Sequence, residues 1–556
     1  MMLSLGQQWA DRAMLRGFRD GAWHQVTWGV FAQQVAAAAM ALRASGISAG
    51  DRVLIVSENR PEYVMAETAL MAIRAVPVPT YVTNTPADHA YILRDSGARV
   101  AIVSTQMLAE RVAEGAQGVS GLDRLISFEP IVLRRNIAVS PWSALVAGMG
   151  SLQTMLAEAG IIPSGSLACL IYTSGTGGNP KGVMLSHRAI LSNCRGAFEL
   201  MRPLGMKNEV YLSFLPLSHS YEHTVGQFFL PSIGTEIVYS RGLEHLSADL
   251  LEVRPTIMTT VPRVLEVIRG RVLAQVKRQK PLQRRLFALA LSVGVRRATR
   301  RMGVLDRLID PLLQRLVRAR VMARFGGRFF AAMSGGARLE PEVGEFFMGL
   351  GLIVMQGYGQ TEAGPVISAN PPDHIRIETV GKPLEGVELR IADDGEILVR
   401  GELVMDGYWN QPAATADAVR EGWLHTGDIG VIDPDGYLRI TDRKKDMIVL
   451  SGGENVSPAK IEGMLTAEPE IAQAVIVGDG QSGLSALLVA AEDAGERAVA
   501  DAVLRVNRRV ASTERVRHHA LVSAFTIENG LLTPTQKVRR RSVIAAYAEV
   551  LGKLPG

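Results

Sequence analysis

The chain has 556 residues, with 60 Lys and Arg against 55 Asp and Glu, so its formal net charge is +5. A composition 47% apolar and 21% charged excludes wholesale disorder, and the length allows about three or four domains or subdomains. Its two cysteines, Cys169 and Cys194, exclude a disulfide scaffold and a Cys₄ zinc module and suit a reducing compartment.

The N-terminus, MMLSLGQQWADRAM, lacks a basic stretch followed by a long apolar run, so no secretory signal is read and a cytosolic chain is expected. No segment reaches the roughly 18–20 apolar residues of a membrane span. The most lipid-like run, Leu286 to Val295, is about half that length and is flanked by arginines. The run Arg52–Val56 (RVLIV) reads as a buried strand, Pro61 to Ile73 has helical spacing, and Ala98–Ser104 and Leu167–Tyr172 read as strands again. This alternation predicts parallel α/β layers. There is no internal repeat and no low-complexity tract.

Charge is unevenly spread. Between Arg263 and Arg328 stand 18 basic residues against three acids, Glu266, Asp306 and Asp310, so this segment carries +15 and the remainder −10. Within it Leu305, Leu308, Ile309, Leu312, Leu313, Leu316 and Val317 recur at helical spacing, interleaved with Arg307, Arg315, Arg318 and Arg320. The pattern is that of an amphipathic basic helix. One reading is a solvated helix packed on the protein body. The other is attachment to an anionic membrane surface, worth about 1 kcal/mol per basic residue near the lipid. Nucleic acid is a poor partner, because only Phe287 and Phe325 supply aromatic rings for base stacking.

Several short motifs carry chemistry. A strand runs into Tyr172-Thr173-Ser174-Gly175-Thr176-Gly177-Gly178-Asn179-Pro180-Lys181-Gly182, a loop poor in bulky side chains whose backbone N–H groups, hydroxyls and lysine suit a phosphate. It is not a Walker A loop, since Pro180 and Gly182 stand where that motif needs Gly and Ser or Thr. In Gln356-Gly357-Tyr358-Gly359-Gln360-Thr361-Glu362 an aromatic ring suits a purine, a hydroxyl suits a phosphate, and a carboxylate suits Mg²⁺. Glu362 replaces the third glycine of a Rossmann fingerprint, which excludes that reading. His425-Thr426-Gly427-Asp428 places a carboxylate that suits ribose hydroxyls, and Gly530 to Lys537 sets a lysine after a Thr-Pro-Thr turn. His219-Ser220-Tyr221-Glu222-His223 spells a zinc-protease pattern, but so short a pattern arises easily by chance and Pro216 lies just upstream. Near Asp442-Arg443-Lys444-Lys445-Asp446 the pattern changes to shorter elements, Ile471–Val477 and Ala486–Ala491 among them. A domain boundary is expected there, with 1–442 before it and 443–556 after it.

Taken together, YTSGTGGNPKGVMLSH (172–187), FLPLSHSYEH (214–223), SGGA (334–337), QGYGQTE (356–362), HTGDIG (425–430), DRKKDMIVLSGGENVSP (442–458) and LTPTQKVRR (532–540) resemble the adenylate-forming superfamily of acyl-CoA synthetases, luciferases and non-ribosomal adenylation domains. The resemblance spans nearly the whole chain. The basic insert at about 263–328 and GLLTPTQKVRR look like long-chain fatty acyl-CoA synthetases. The implied fold is α/β: a large N-terminal domain of several subdomains and a small, mobile α+β C-terminal domain.

The resemblance implies activation of a fatty acid by ATP to acyl-adenylate, then transfer to coenzyme A. It assigns Lys537 to bridge carboxylate and α-phosphate, Thr361 to the α-phosphate, and Glu362, with Thr173, to Mg²⁺. It gives Thr173 to Lys181 the β- and γ-phosphates, and Gly335, Gly336, Ala337, Gln356, Gly357, Tyr358 and Gly359 the nucleotide, Gly335, Gly336, Ala337 and Tyr358 beside adenine. Asp428 and Arg443 are implied at the ribose, His219 beside the acyl carboxylate, Lys445 as the hinge, and Gly452 and Gly453 at the pantetheine channel. Gly177 departs from the family's usual Thr or Ser, a lost hydrogen bond worth about 0.5–1.5 kcal/mol. Two rivals remain open from sequence: a ligase loading a separate carrier protein, and a silent lipid- or nucleotide-binding protein on the same fold.

Overall fold

The computed structural model describes residues 1–119, 121–134, 137–148, 150–173, 179–452, 454–533 and 538–554. The chain divides into two units. One comprises Met1–Thr173, Asn179–Glu388 and Val399–Leu424, and the other includes Leu389–Leu398 and His425–Gly556.

The larger unit is α/β. Five parallel strands lie in the order Val76–Thr80, Arg52–Val56, Val100–Val103, Arg124–Ser127, Ala138–Pro141. The continuous apolar run at 52–56 becomes a strand buried on both faces, as the sequence predicts. Helix Pro61–Ala72 also forms as predicted, with Pro61 at its first turn, where a missing N–H costs nothing.

A second sheet has nine strands. Its centre is parallel, with Ile353–Gly359, Ala331–Ser334, Ile257–Thr260, Val210–Ser213 and Glu236–Tyr239 in spatial order. The loops after these strands therefore open at one edge, the C-terminal edge where parallel sheets collect ligand-binding residues. Leu167–Thr173 departs from the expectation of parallel layering. It pairs antiparallel with Lys181–Ser186 in a separate three-stranded sheet. An apolar run reports burial, not the direction of the partner strand.

The basic segment folds as helices Pro262–Lys277, Pro281–Ala298 and Val304–Leu313, the last continuing through a π turn at Gln314–Arg318. It is seated on the body by a close helix crossing. A Cβ on Gly294 would lie 1.9 Å from the Gly349 carbonyl oxygen, and one on Gly349 would lie 2.9 Å from the Leu291 oxygen. Arg318 corrects the sequence reading. It is fully buried rather than part of an exposed basic face. Its guanidinium donates to Gln314 Oε1 at 2.8 Å, to the Ala290 carbonyl at 3.2 Å and to the Asp310 carboxylate.

In the smaller unit, strands Ile471–Val477, Leu484–Ala490 and Val516–Leu521 form a sheet. Helices Pro458–Thr466 and Glu496–Asn507 contribute Ile461, Leu465, Val499 and Val503 to one apolar core. Phe525, Leu531 and Val543 join a second apolar cluster with Val475 and Leu487. The expected boundary at 442/443 falls inside strand Leu438–Arg443.

Gly294→Ala should push the two helices apart and destabilise the protein by about 1–3 kcal/mol. Denaturant unfolding would measure this, and an unchanged midpoint would show that the crossing tolerates a methyl group.

Candidate active site

Strand Ile353–Gly359 ends where the chain must pass close to itself. A Cβ on Gly359 would lie 1.9 Å from the Pro365 carbonyl oxygen, so only glycine fits. The turn that follows presents Thr361 and Glu362 from a short 3₁₀ helix, Thr361–Ala363. Asn193 braces this turn, donating to the carbonyls of Ala363 (3.3 Å) and Val366 (2.9 Å) and accepting from the Val366 N–H (3.2 Å). Thr224 donates to the Gly364 carbonyl at 3.1 Å.

Thr361 and Glu362 are each held by a neighbour. The Thr361 hydroxyl lies 2.9 Å from that of Ser220. Tyr408 donates to Glu362 Oε1 at 2.8 Å. Burial, then the Glu362 charge, raises the Tyr408 pKa, so the phenol stays protonated as a donor. Lys181 Nζ sits 4.6 Å from the centre of the same Tyr408 ring. The lysine at the end of the glycine-rich loop and the acid of QTE are thus gathered on one tyrosine. The structure brings together these two residues, which are far apart in sequence.

Strand Ala331–Ser334 runs beside Ile353–Gly359, with Ser334 opposite Gln356. Both residues are buried, and Ser334 Oγ and Gln356 Oε1 have no hydrogen-bond partner among the described residues. Buried polar atoms without partners are costly, and a polar ligand group would satisfy them. Gly335 follows, its Cα facing the ring of Tyr221 so that a Cβ would lie 3.2 Å from it. Gly336 has φ +80°, a backbone region that favours glycine.

Within the stretch set aside above as a chance zinc pattern, His219 is a site residue the resemblance implies, and 220–223 is the part sequence reasoning missed. Among the described residues no three His, Cys, Asp or Glu side chains cluster as metal ligands. Instead each residue holds a different neighbour. His219 Nδ1 accepts the Tyr221 N–H at 3.2 Å, which leaves the ring proton on Nε2. Ser220 meets Thr361. Tyr221 donates to the Met333 carbonyl at 3.0 Å. Glu222 opens a π-helix, Glu222–Phe229, a form frequent at functional sites. Its carboxylate is fully buried and accepts from Tyr211 (2.6 and 2.8 Å), Ser213 (2.6 Å) and Thr259 (2.8 Å). Burial pushes its pKa up to about 6, with the three hydroxyl donors opposing a larger rise.

His223 is also fully buried, with Nε2 2.7 Å from Glu67 Oε1, while Gln227 donates to Glu67 Oε2 at 2.6 Å. Burial alone would lower the His223 pKa, but the Glu67 carboxylate, with Cys169 also contributing, outweighs it and raises the value to about 10. The imidazole is therefore a cation at neutral pH. Nothing in the local sequence singles out this hub, because Glu222 and His223 stand among other polar residues, Ser218, His219, Ser220 and Thr224.

In the smaller unit, Asp428 and Arg443 stand opposite each other on antiparallel strands, and Arg443 Nε donates to Asp428 Oδ1 at 2.8 Å. The two residues implied at the ribose are therefore neighbours. His425 Nδ1 is 3.3 Å from Glu396 Oε2, and the Gly427 N–H donates to Glu396 Oε1 at 2.9 Å. Lys444 bonds Asp394 (2.5 Å) and Glu396 (3.0 Å), and these two contacts raise its pKa. Lys445 is exposed in the turn that follows. A Cβ on Gly452 would lie 2.3 Å from Glu454 Oε2. Ser174, Gly175, Thr176, Gly177, Gly178, Gly453 and Lys537 lie outside the described residues.

These elements define an AMP-binding enzyme. Residues 5–409 match the family model described as AMP-binding enzyme, and residues 445–554 match that of the AMP-binding enzyme C-terminal domain. The chain belongs to this family. It is 36% identical to the long-chain-fatty-acid–CoA ligase FadD15 of Mycobacterium tuberculosis, over 94% of this chain and 91% of that protein. It is 29% identical to the long-chain-fatty-acid–CoA ligase 5 of Mus musculus, over 86% of this chain and 76% of that one. Its fold is similar to the crystal structure of the anthranilate CoA ligase AuaEII in complex with anthranoyl-AMP (TM-score 0.79, 20% identity, 100% of this chain and 98% of that one). It is also similar to a benzoate CoA ligase from Burkholderia xenovorans (TM-score 0.74, 22% identity, 98% of each chain).

His223→Gln should destabilise the protein at pH 7 by about 3–5 kcal/mol, because it strands the buried Glu67 charge. With a folded pKa of about 10 against an ordinary 6.5, the pair's contribution is complete below pH 6.5 and is lost as pH rises through 10. Melting curves of both proteins from pH 6 to 10 should therefore converge; a constant gap would contradict the charged pair.

Proposed function

We propose that this enzyme activates a long-chain fatty acid with ATP and passes the acyl group to coenzyme A. The carboxylate attacks the α-phosphorus and pyrophosphate leaves, forming acyl-adenylate. The thiol then attacks the acyl carbon and AMP leaves. The observation that carries this reading is the set of relatives named long-chain-fatty-acid–CoA ligases, matched along most of both chains.

The first half-reaction brings one anion to a polyanion, so positive donors must offset charge as the transition state forms. In this reading Lys181 and the loop 173–178 hold the β- and γ-phosphates, and Thr361, fixed by Ser220, contacts the α-phosphate. Ser334 and Gln356 offer buried acceptors beside Gly335, Gly336, Ala337, Gly357, Tyr358 and Gly359 for the base. Asp428 and Arg443 hold the ribose. His219, with its proton on Nε2, donates toward the acyl carboxylate.

Glu362 and Thr173 supply oxygen donors of the kind Mg²⁺ prefers, and the ion would neutralise phosphate charge. Tyr408 fixes one oxygen of that carboxylate. Lys537 bridges carboxylate and α-phosphate. We place the mobile part at 443–556, with Lys445 as its pivot; Gly452 and Gly453 border the thiol's path in the second half-reaction. A fatty acid partitions into lipid, so the reading includes peripheral contact with an anionic membrane through 263–328.

Acid-dependent ATP–pyrophosphate exchange over acids from acetate to stearate, with AMP release followed with and without coenzyme A, tests the reading. Exchange should peak at long chains and turnover should require coenzyme A. Exchange without a coenzyme A response would replace it with a carrier-protein ligase. Lys537→Ala should lower exchange by about a hundredfold or more while largely sparing thioester formation from supplied acyl-adenylate. Equal loss in both halves would overturn its role.

A further inference from the structure

The basic segment carries more leucine than one helix face can bury. Across Val304–Leu313 and the π turn after it, Ile309, Leu313 and Val317 pack inward against Ala290 and Val293 of helix Pro281–Ala298. The remaining leucines point outward: Leu305 is 69% exposed, Leu308 74%, Leu312 59% and Leu316 42%. They recur three or four residues apart and form a continuous apolar ridge about 16 Å long. Isolated exposed leucines need no explanation, whereas a contiguous ridge on a helix does.

The charges around the ridge are sorted. The segment's acids are already used: Asp306 binds Arg296 at 2.6 and 2.7 Å, Asp310 binds Arg318, and Glu266 lies 3.2 Å from Arg263. Arg307 and Arg315 immediately precede Leu308 and Leu316, and both are exposed, as is Arg320. None of these three makes an ion pair among the described residues. An outward apolar ridge beside uncompensated arginines is complementary to a surface with an anionic rim and an apolar interior.

We propose that Leu305, Leu308, Leu312 and Leu316 insert into the headgroup–acyl boundary of an anionic lipid membrane, with Arg307, Arg315 and Arg320 at the phosphates. The helix lies in the plane of the interface and does not cross it; no helix among the described residues is long and apolar enough to span. This rests on the reading that the substrate is lipid-borne and names the face that meets the lipid. It also shifts the main attachment from the segment's total charge to one row of leucines.

The test is co-sedimentation of the full chain with vesicles of phosphatidylcholine alone or mixed with phosphatidylglycerol, alongside turnover of octanoate without vesicles. The wild type should prefer the mixed vesicles. Replacing Leu305, Leu308, Leu312 and Leu316 by Ser should weaken partitioning on the order of tenfold or more with octanoate turnover kept. Replacing Arg307, Arg315 and Arg320 by Gln should abolish the preference for phosphatidylglycerol. Leu308→Cys carrying an environment-sensitive fluorophore should brighten on mixed vesicles, which checks insertion without removing the ridge. Unchanged partitioning of the leucine variant overturns the proposal. So does a wild type that self-associates through the ridge and ignores vesicles. Octanoate turnover by a protein that ignores vesicles overturns the ridge alone, and vesicle binding without turnover of any acid overturns the ligase reading alone.

Discussion

The larger unit is built around a carboxylate that has no cation beside it among the described residues. Glu222 is fully buried, and its acceptors are filled by hydroxyls from two neighbouring strands, Tyr211 and Ser213 on one and Thr259 on the next. Gly226 leaves room for it: a Cβ there would lie 2.4 Å from Glu222 Oε1. A buried charge tolerates little displacement, because every lost donor leaves an unmet acceptor in a medium of low dielectric. Fixing Glu222 therefore fixes the residues just before it. Ser220 arrives at Thr361 and Tyr221 arrives under Gly335 as consequences of where the carboxylate must sit. His223 and Glu67 anchor the other side of the turn.

The parts legible in the sequence are those decided over short distances. The run at 52–56 and that at 471–477 announce strands because apolar residues dominate both, interrupted in the second only by Gln473, and strands form over the same residues. Thr361, Glu362, Asp428 and Arg443 stand out in the sequence because short motifs carry them, and the structure sets Thr361 beside Ser220, Glu362 beside Tyr408 and Asp428 beside Arg443. The strand Leu167–Thr173 was legible as a strand but not as an antiparallel one, since pairing depends on Lys181–Ser186 and not on the run itself. The hub at 220–223 was illegible for the same reason. Its partners stand from nine to more than 150 residues away in sequence, and nothing local distinguishes a hub from a chance zinc pattern.

The basic segment shows a further limit. Periodicity locates an apolar stripe on a helix, but not how wide a stripe the neighbouring helix will cover. Here the cover reaches Ile309, Leu313 and Val317 and stops. Arg318 was misread because its partners lie 4, 8 and 28 residues away, close in space only once the helices pack. Charge counted along the chain therefore overstates the charge available at the surface.

Both regions follow one rule about cations. An enzyme that must hold a polyanion cannot let its own carboxylates neutralise the groups meant for it. Glu222 is served by hydroxyls, and Glu362 takes its neighbour's hydrogen bond from the neutral phenol of Tyr408. Lys181 is steadied over the face of that same ring, an arrangement that fixes an ammonium group without a carboxylate paired to it among the described residues. In the basic segment the acids are tied to Arg263, Arg296, Arg297 and Arg318, and among the described residues the arginines beside the leucine ridge are left without acids. A salt bridge to Lys181 or Arg307 would add little to stability at such positions. Under the roles proposed above, it would remove the positive charge offered to a phosphate, whether of ATP or of a lipid headgroup.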